Sequence, residues 1–428
     1  MTAARTAPVD RETVVMITTS YPRFPGDTIG TFMEPIARGL AARGHLVHVV
    51  LPWHPRLRRA PVEDGVHFHP FRYAPFRSLN VFGYAGALSE DVRLRRSAWV
   101  AAPLALAAGL GAARAVIGRT HATVVHGHWV VPGGAIAAAA AGSLPLVISL
   151  HGSDVYVAER HAAARSVARA VFRRAGWVTA CSDDLRVRAI ALGAPQDRAE
   201  TLPYGVDAGR FKPDAAARAA VRRALGVGAD DLLLFAAGRF VRKKGFEFLI
   251  DAMAILVRRW PALVLVIGGG GDLDAELRSR AAALGLGNRV RFPGVLGHDQ
   301  VAEYLAAADI AVVPSVHDEA GNVDGLPNVV MEALASGTPV VATTAGGIPA
   351  AVRDQETGRL VPERDPAALA DAIDALLGDP GVRAQLGARA RSDVERHGSW
   401  EHVAERFEAA YRAARAARRQ PAPAGSRG

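Results

Sequence analysis

Short β-branched runs alternate with amphipathic helical patterns along most of this 428-residue chain. In the first half the runs are TVVMITTS, HLVHVVLP, TVVHGHWV, PLVISLHG and WVTACS, and in the second half they are LLLFAAGRF, LVLVIGGG, RVRFPG, IAVVPS and PVVATT. Helical patterns such as 246–260 and 298–309 lie between most of them. This order predicts an α/β fold in which parallel sheets are covered by helices on both faces.

The alternation restarts after Thr201–Asp214, a stretch rich in turn-forming residues. A chain of this length is long for one domain and suits two. We therefore predict two doubly wound, Rossmann-like domains, over 1–203 and 204–392, then a C-terminal helix over 393–417 that packs toward the first domain, and a disordered tail over 418–428. In open parallel sheets ligands bind at the carboxyl ends of the strands, so the loops that follow strands should hold the functional residues.

The composition restricts the partners that the chain can bind. Its net charge of +9 favours anionic partners, namely a phosphorylated substrate, an acidic membrane or nucleic acid. The basic residues are mostly arginines spread along helical patterns and are not interleaved with aromatic residues, so nucleic acid ranks last. The single cysteine, Cys181, excludes an internal disulfide and a thiolate metal site, and we expect it to be a small buried side chain at a strand end.

Two segments of the first half of the chain bear on where in the cell the protein is found. Residues 1–11 are polar and no apolar core with a cleavage site follows, which predicts no signal peptide and a cytoplasmic protein. The apolar run Ala98–Ala113 is shorter than the ~20 residues that span a bilayer, so we expect a buried or surface-seated helix. The basic edge Arg93–Arg96 before this run could instead seat on an anionic membrane, where the protein would meet a lipid-linked acceptor.

Two loops of the first half carry candidate residues. Gly30 lies in a loop rich in Gly and Pro before a helix expected at about Thr31, where it would let the backbone approach a ligand closely. His151 ends the run PLVISL, and Asp154 could cap the following helix or orient the imidazole. An ordinary loop and a structural histidine are the alternatives.

In the second half, Arg239 and Lys244 lie between a predicted strand and a predicted helix. Two such cations could hold a diphosphate through charge-assisted hydrogen bonds, and the alternative is a solvated basic loop.

Two further segments invite a cofactor or metal interpretation. The segment VIGGGGDLDAEL departs from a dinucleotide fingerprint because Leu273 stands where the last glycine is needed. Asp272 and Asp274 in it are a possible metal pair, but a helix cap and a dipole-complementing carboxylate are preferred. His126 and His128 alternate on a strand and face one side, without a convincing third metal ligand.

The stretch DGLPNVVMEALASGTPVVATTAGG places two carboxylates around a helix start. Pro327 favours a helix that begins there, so Asp324 lies in the loop before it and Glu332 lies inside the helix. We expect the first amides, at Asn328, Val329 and Val330, to lack partners within the helix. This arrangement suits a polyhydroxylated ligand with an anionic group, while a capping Asp and a solvated Glu are the alternative.

Together these segments resemble glycosyltransferase family 4, which has the GT-B fold. The resemblance covers about Val14 to Tyr411 and depends on the order of GTF, HGSD, GRFVRKKG, VIGGGG, RVRFPG, IAVVPS and the stretch from Asp324. It implies two Rossmann-like domains that face a central cleft, and an enzyme that transfers a sugar from a nucleotide diphosphate sugar to an acceptor with retention at the anomeric carbon.

The resemblance also implies residue roles. Arg239 and Lys244 would bind the diphosphate, Glu332 would bind the ribose hydroxyls, and Asn328 and Val329 would offer amides near the sugar and phosphates.

In the first domain, His151 would lie at the anomeric centre, Gly30 would be the close-approach glycine, and Asp154 counts among the substrate-binding residues. The first carboxylate of the family's E-x7-E pair falls on Asp324, one methylene shorter than Glu, and Glu319 nearby could share its role.

The physical argument agrees with a metal-free reaction, because two protein cations and a helix N-terminus could stabilise the departing diphosphate. We therefore expect no cofactor besides the donor substrate, no metal and no nucleic acid. The expected acceptor is a glycan or a lipid-linked precursor of cell-envelope polysaccharide. A nucleotide-dependent oxidoreductase and a non-catalytic sugar-nucleotide sensor are the competing functions, and the failed fingerprint counts against the first.

Overall fold

The structure is a computed structural model, which describes residues 11–27, 29–74, 80, 83–84, 88–90, 93–94, 96–228, 231–319 and 321–419. The N-terminal ten residues and the tail beyond Arg419, on which two of the predictions fall, lie outside this range. The chain divides into two compact units. Unit 1 comprises Met1–Cys181, Leu185–Leu202 and Val403–Gly428, and unit 2 comprises Ser182–Asp184 and Pro203–His402.

Unit 1 contains a mostly parallel sheet. The strands up to Leu202 are β1 Thr13–Ile17, β2 Leu46–Pro52, β3 Val62–Glu63, β4 Val66–Phe71, β5 Leu88–Glu90, β6 Arg93–Leu94, β7 Val124–His128, β8 Leu146–Leu150, β9 Trp177–Ala180 and β10 Ala199–Thr201. The helices of this part are α1 Met33–Ala42, α2 Arg96–Thr120, α3 Ala135–Ala140, α4 Ser153–Arg160, α5 Ala162–Arg174 and α6 Asp183–Ala191.

The sheet of unit 1 has the order β10-β9-β8-β7-β1-β2-β4-β3, and β5 and β6 form a separate antiparallel pair. All neighbours in the large sheet are parallel except β3 and β4. The strand order reverses at β1, which has β2 on one side and β7 on the other. Ligands of open α/β sheets bind beside such a reversal, so the loops after β1 and β7 are the places to search.

Unit 2 is a smaller doubly wound domain. Its strands are β11 Leu233–Ala237, β12 Val264–Gly268, β13 Val290–Arg291, β14 Ile310–Val313, β15 Val340–Thr343 and β16 Gly358–Val361. The remaining helices are α7 Ala215–Ala224, α8 Phe246–Leu256, α9 Asp274–Ala283, α10 His298–Ala307, α11 Asn328–Ala335, α12 Pro366–Gly378, α13 Pro380–His397 and α14 Trp400–Arg419.

The six strands of unit 2 are parallel and have the order β13-β12-β11-β14-β15-β16, so the order reverses between β11 and β14. A buried core that includes Phe240, Phe246, Met253, Leu265 and Ile310 fixes the helices on this sheet. The loops after β11 and β14 therefore leave a rigid scaffold at the reversal point.

The C-terminal region, where we predicted one helix over 393–417, contains two helices that are separated at Gly398 and Ser399. From Val403 onward α14 belongs to unit 1. Its Glu408 accepts hydrogen bonds from Arg43 at 2.7 Å within that unit. The return of the chain is therefore held by buried and half-buried ion pairs as well as by apolar packing.

The apolar run Ala98–Ala113 belongs to the 25-residue helix α2. The run itself is shorter than a bilayer span, but the helix that contains it is longer. By length and composition, Ala101–Thr120 is the one candidate span among the described helices, and 28% of it is buried inside the protein. A helix in the core of a globular domain can have the same length and composition, so these two properties alone do not show that α2 crosses a membrane.

Candidate functional site

In unit 2, glycines bring the loop after β11 against the end of β14. Residues Arg242–Lys244 form a single helical turn that ends at Gly245, whose φ is +62°. A Cβ at Gly245 would lie 2.0 Å from the Pro314 carbonyl oxygen, so a larger residue would push the loops apart. The Val316 N–H donates to the Lys243 carbonyl at 2.9 Å. Two adjacent lysines are thereby fixed beside the segment that leads to Asp324.

Asp324 forms ion pairs with both lysines. Lys244 Nζ lies 2.6 Å from Oδ2 and Lys243 Nζ lies 3.2 Å from Oδ1, and each of the three side chains is at most 14% exposed. Burial alone would raise the pKa of Asp324, but Lys244 and Lys243 outweigh it and hold the pKa well below its usual range. The carboxylate is therefore ionised. It contacts two lysines, so the group of three side chains has a net charge of +1 when both lysines are protonated.

A pair of glycines after β15 supports the loop that carries this carboxylate. A Cβ at Gly346 would lie 2.2 Å from the Asp324 carbonyl oxygen, and one at Gly347 would lie 1.5 Å from that of Gly325. The Gly347 N–H donates to the Asp324 carbonyl at 3.4 Å. The position of Asp324 thus depends on close packing between two backbone segments. In the sequence, the two glycines at the end of the stretch were the sign of this packing.

The helix that follows is α11, which begins at Asn328 with Pro327 just outside it in an extended conformation. The predicted set of three unpaired amides needs correction, because the Val330 N–H donates to the Pro327 carbonyl at 3.0 Å. Asn328 and Val329 are at the helix start as expected, half-buried and buried respectively. A helix N-terminus, two lysines and two carboxylates therefore meet in one small region of unit 2.

Glu332 is half-buried on α11. Burial raises its pKa to about 7, against the opposing influence of Lys244 and Arg210. Near neutral pH the Glu332 carboxyl group is a mixture of protonated and ionised forms, whereas Asp324 is fully ionised. Both carboxyl groups of the predicted pair are therefore present, but their electrostatic states differ.

The other candidates of unit 2 lie farther out. Arg239 is exposed directly after β11, and Glu319 is exposed in the loop after β14. Arg242 pairs with Glu276 through two contacts of 2.6 Å, which occupies its guanidinium. Asp324, and not Glu319, is the carboxylate that contacts the lysines. Lys243 is the residue of this group that sequence reasoning missed, because it looked equivalent to its neighbours in a basic run.

In unit 1, His151 lies among aromatic rings at the carboxyl edge of the sheet. Its ring centroid is 4.6 Å from that of Phe32 and 4.7 Å from that of Trp129, and it stacks on His128. His128 Nδ1 and His151 Nε2 are 3.0 Å apart, so one donates to the other. Burial lowers the pKa of His151 to about 3, with a further contribution from His126. His151 is therefore neutral and can exchange hydrogen bonds but carries no charge.

A chain of buried polar groups continues beneath His151. His126 bonds to Ser149 Oγ at 2.7 Å and to Tyr411 OH at 2.9 Å, and Ser149 bonds to Thr179 at 2.7 Å. Burial lowers the pKa of His126 to about 3. As predicted, His126 and His128 face one side, with ring centroids 4.0 Å apart. Tyr411 comes from α14, so no local signal could have predicted its part in this network.

Asp154 contacts backbone groups. Its carboxylate accepts from the N–H groups of Val130 at 2.7 Å, Gly152 at 3.0 Å and His151 at 3.4 Å. Burial raises the pKa of Asp154, while these amides act to lower it. The side chain therefore ties the loop after β7 to the loop after β8. This role in fixing the loops was not predicted, and the cap position of α4 is Gly152, without a side-chain cap.

Gly30 has a φ of +64°, and a Cβ there would lie 2.9 Å from Ser20 Oγ. Its carbonyl accepts from Met33, where α1 starts, two residues after the predicted Thr31. The glycine is needed for a close turn between β1 and α1.

Of the acidic pair in the glycine-rich segment, Asp274 lies in the first turn of a helix as predicted, whereas the prediction that Asp272 is the cap was wrong. The helix starts at Asp274, with Leu273 and not Asp272 at the cap position. Asp274 pairs with Arg278 at 2.9 Å. Across the part of the chain that the structure describes, no group of three His, Cys, Asp or Glu side chains is arranged to hold a metal ion.

Comparison with known proteins identifies the family. The model described as Glycosyltransferase Family 4 matches residues 29–210, and the one described as Glycosyl transferases group 1 matches residues 217–393. A GDP-mannose-dependent alpha-(1-6)-phosphatidylinositol monomannoside mannosyltransferase of Mycobacterium tuberculosis is 35% identical over 269 residues, which are 62% of this chain and 68% of the relative. The chain belongs to glycosyltransferase family 4. This glycosyltransferase is accordingly an enzyme, as predicted.

Two further proteins complete the comparison. A D-inositol 3-phosphate glycosyltransferase of Saccharomonospora viridis is 40% identical over 233 residues, which are 52% of each chain. The crystal structure of Anabaena HepE in complex with UDP superposes with a TM-score of 0.72 at 20% identity, over 92% of this chain and 98% of HepE. The predicted GT-B fold of the glycosyltransferase, with two parallel-sheet domains, is thereby confirmed.

Proposed function

We propose that this glycosyltransferase binds the nucleoside diphosphate sugar through unit 2 and the acceptor through unit 1, and transfers the sugar with retention and without a metal ion. The observation that carries the proposal is the contact of Asp324 with Lys243 and Lys244 beside the start of α11. These cations would bind the diphosphate and stabilise the charge that it gains as the glycosidic bond breaks. Arg239 would add a further cation, and the amides of Asn328 and Val329 would lie near the phosphates and sugar.

The two carboxyl groups would have separate roles. Asp324 orients the lysines and contacts the donor sugar, while Glu332 accepts hydrogen bonds from the ribose hydroxyls. In unit 1 we propose that His151 contacts the transferred sugar as a neutral hydrogen-bonding group, while Asp154 and Gly30 shape the loops around it. Glu319, which is exposed, is the weaker candidate for the first carboxylate.

The acceptor that we propose is a glycan or lipid-linked precursor of the cell envelope, used at the cytoplasmic face of the membrane. Both relatives named above carry inositol in the description of their acceptor, and one uses GDP-mannose. Phosphatidylinositol mannoside and inositol phosphate are therefore the first acceptors to test.

The test combines a thermal-shift screen of GDP-mannose and UDP-glucose with an assay of transfer, because ligands stabilise the state that they bind. We expect one donor to raise the melting temperature and its sugar to appear on an acceptor with the donor's anomeric configuration. An inverted product would overturn retention. Donor binding without transfer to any acceptor in a broad set would leave unit 2 as a binding domain and contradict the proposed reaction.

A further inference from the structure

Three helices of unit 1 form one continuous layer on the sheet. Gly109 of α2 packs against α3, since a Cβ there would lie 2.7 Å from Ile136 Cδ1. Gly134, directly before α3, packs against α5, where a Cβ would lie 3.4 Å from Val171 Cγ1. We call α2, α3 and α5 together the acid-free layer, because none of their residues is Asp or Glu although the chain has 42 of them. The layer is a surface of one charge sign.

The outer face of this layer is basic. Among its arginines, the exposed ones are Arg114, Arg119, Arg169, Arg173 and Arg174. Arg114 donates to the Ala139 carbonyl of α3, and Arg174 donates to the Gly142 carbonyl just after α3, so neither of these contacts is with a carboxylate. Within the described residues, Arg169 and Arg173 of α5 have no carboxylate partner. Most other exposed arginines with contacts, such as Arg242 and Arg280, pair with acids.

The same helices also expose apolar side chains. Leu104 and Leu106 of α2 are 47% and 38% exposed, and Val167 of α5 is 39% exposed. Leu104 and Leu106 are two positions apart, so they flank the exposed side of α2 and do not lie on one line. Exposed aliphatic side chains on helices that also carry unpaired arginines are typical of segments that lie in the interface of a bilayer.

The packing of α2 decides between lying on a membrane and crossing it. A stripe of small residues on one side of α2 is buried against the sheet and α3, and its members are Ala101, Ala105, Gly109, Ala113 and Val116. A helix that keeps this side on the protein cannot be surrounded by lipid. We therefore infer that α2 exposes one apolar side to the surroundings and does not cross a membrane.

We propose that the acid-free layer binds the surface of a bilayer that contains anionic lipids, with its arginines on the headgroups and Leu104, Leu106 and Val167 at the acyl boundary. Anionic headgroups complement a face without acids, and each basic residue near such a surface adds about 1 kcal/mol of attraction. Nucleic acid fits less well, because a phosphate backbone gives the aliphatic side chains no apolar surface. The inference does not depend on the donor chemistry of unit 2, although it would bring the enzyme to a lipid-linked acceptor.

This surface differs from the basic edge that the sequence suggested. Arg93 and Leu94 form β6 and Arg96 begins α2, and the side chains of this edge are outside what the structure describes. The proposal rests on the exposed part of α2 from Leu104 onward and on α5, which sequence reasoning did not associate with each other.

The test uses the full chain and sedimentation with vesicles of phosphatidylcholine, with or without phosphatidylglycerol. We expect binding to the anionic vesicles at low salt, a steep loss as salt screens the attraction, and little binding to the neutral vesicles. The double variant Arg169→Glu, Arg173→Glu should weaken binding by more than about thirtyfold, the loss expected from two surface cations. Leu104→Gln, Leu106→Gln should weaken it at every salt concentration.

The matched control is Arg223→Glu, Arg258→Glu, which changes the net charge equally at exposed arginines of unit 2. It should retain most of the binding. An equal loss in this control would overturn the proposal, because net charge and not the layer would then attract the protein. Absence of binding to anionic vesicles, or equal binding to neutral ones, would also overturn it. Nucleotide binding is measured on the same variants, so a failure of the proposed donor site is seen separately.

Discussion

The histidine group of unit 1 and the lysine–aspartate group of unit 2 both lie in loops that follow parallel strands, yet their buried polar groups are accommodated in opposite ways. Around His151 the side chains are neutral, because burial disfavours the imidazolium form. His128 and His151 share one hydrogen bond, while the buried Nε2 of His128 has no partner among the described residues. Around Asp324 the side chains are charged, because two lysines supply more attraction than burial removes.

This difference indicates which region can stabilise a developing charge. A neutral histidine can select and orient a sugar hydroxyl, but it adds no charge to a transition state. Fixed cations act on a departing diphosphate without reorganisation during the reaction. The contrast therefore supports the proposal that unit 2 stabilises charge and unit 1 positions the substrate, and the following predictions test this proposal.

The largest effect should come from removing a cation of the charged group. Lys244→Ala should lower turnover by roughly tenfold to a thousandfold, the scale observed when one charge-stabilising donor is lost. Arg239→Ala should act in the same direction if it also contacts the diphosphate. Steady-state kinetics with the identified donor would measure both changes.

The matched control for Lys244→Ala is Arg242→Ala, two residues earlier in the same turn. Its guanidinium pairs with Glu276 and not with Asp324, so we expect near wild-type turnover. If Arg242→Ala were as damaging as Lys244→Ala, general disturbance of the loop and not the loss of a cation would explain both results.

The neutral histidines of unit 1 should make the stability of the protein depend on pH. The pKa of His126 and of His151 is about 3 in the folded protein and near 6.5 in the unfolded chain, so protons bind preferentially to the unfolded state below pH 6.5. The free energy of unfolding should thus fall as the pH drops, by about 2 kcal/mol for each such histidine between pH 6.5 and 5. Denaturant titration at several pH values measures this slope.

His126→Gln should reduce that slope while it keeps polar partners for Ser149 and Tyr411. His121→Gln, which removes an exposed histidine nearby, is the control and should leave the slope unchanged. A slope that does not differ between wild type and His126→Gln would show that His126 is not held neutral by burial.

The sequence predicted the fold better than it predicted these two electrostatic states. Each of the ten predicted strands is present, because buried parallel strands leave continuous β-branched runs. It did not reveal six strands that are short or lie at or near a sheet edge, namely β3, β4, β5, β6, β10 and β16. The order of motifs placed Lys244, Asp324, Glu332 and His151 in loops after strands or at a helix start.

The contacts that fix these residues were not predictable from the sequence. Tyr411 is 285 positions from His126, and no periodicity records such a distance. Lys243 differs from its basic neighbours only in where its side chain points. The pKa of Glu332 depends on burial in the folded chain, and a helical pattern alone allowed a solvated carboxylate.

A smaller effect should separate the two carboxyl groups of unit 2. Because the pKa of Glu332 is about 7, it is ionised above neutral pH and protonated below it. An ionised carboxylate accepts ribose hydrogen bonds better, so the affinity for the nucleoside diphosphate should rise several-fold as the pH rises through 7. Calorimetry should also show proton release on binding near this pH.

Glu332→Gln should bind the nucleoside diphosphate more weakly and lose the proton release, with any titration of the phosphate itself remaining in both proteins. Asp324→Asn should bind this ligand, which lacks the transferred sugar, nearly normally and lose transfer, because the proposed contact of Asp324 with the transferred sugar acts on the reaction. The opposite pattern, with nucleotide binding lost in Asp324→Asn and kept in Glu332→Gln, would mean that the two roles are exchanged.

The smallest effect should follow the removal of divalent ions. If Lys243, Lys244 and Arg239 provide the positive charge for the diphosphate, a metal adds no necessary stabilisation, and turnover in excess chelator should equal that of the untreated enzyme. The measurement is a transfer assay after chelation, with manganese or magnesium added back. Full loss that either ion restores would contradict the contrast between a charged and a neutral region, because the essential charge would then come from the ion. The acidic residues Asp272 and Asp274 would in that case be the first to substitute, since Asp274 now pairs with Arg278 and would have to exchange that partner for a metal.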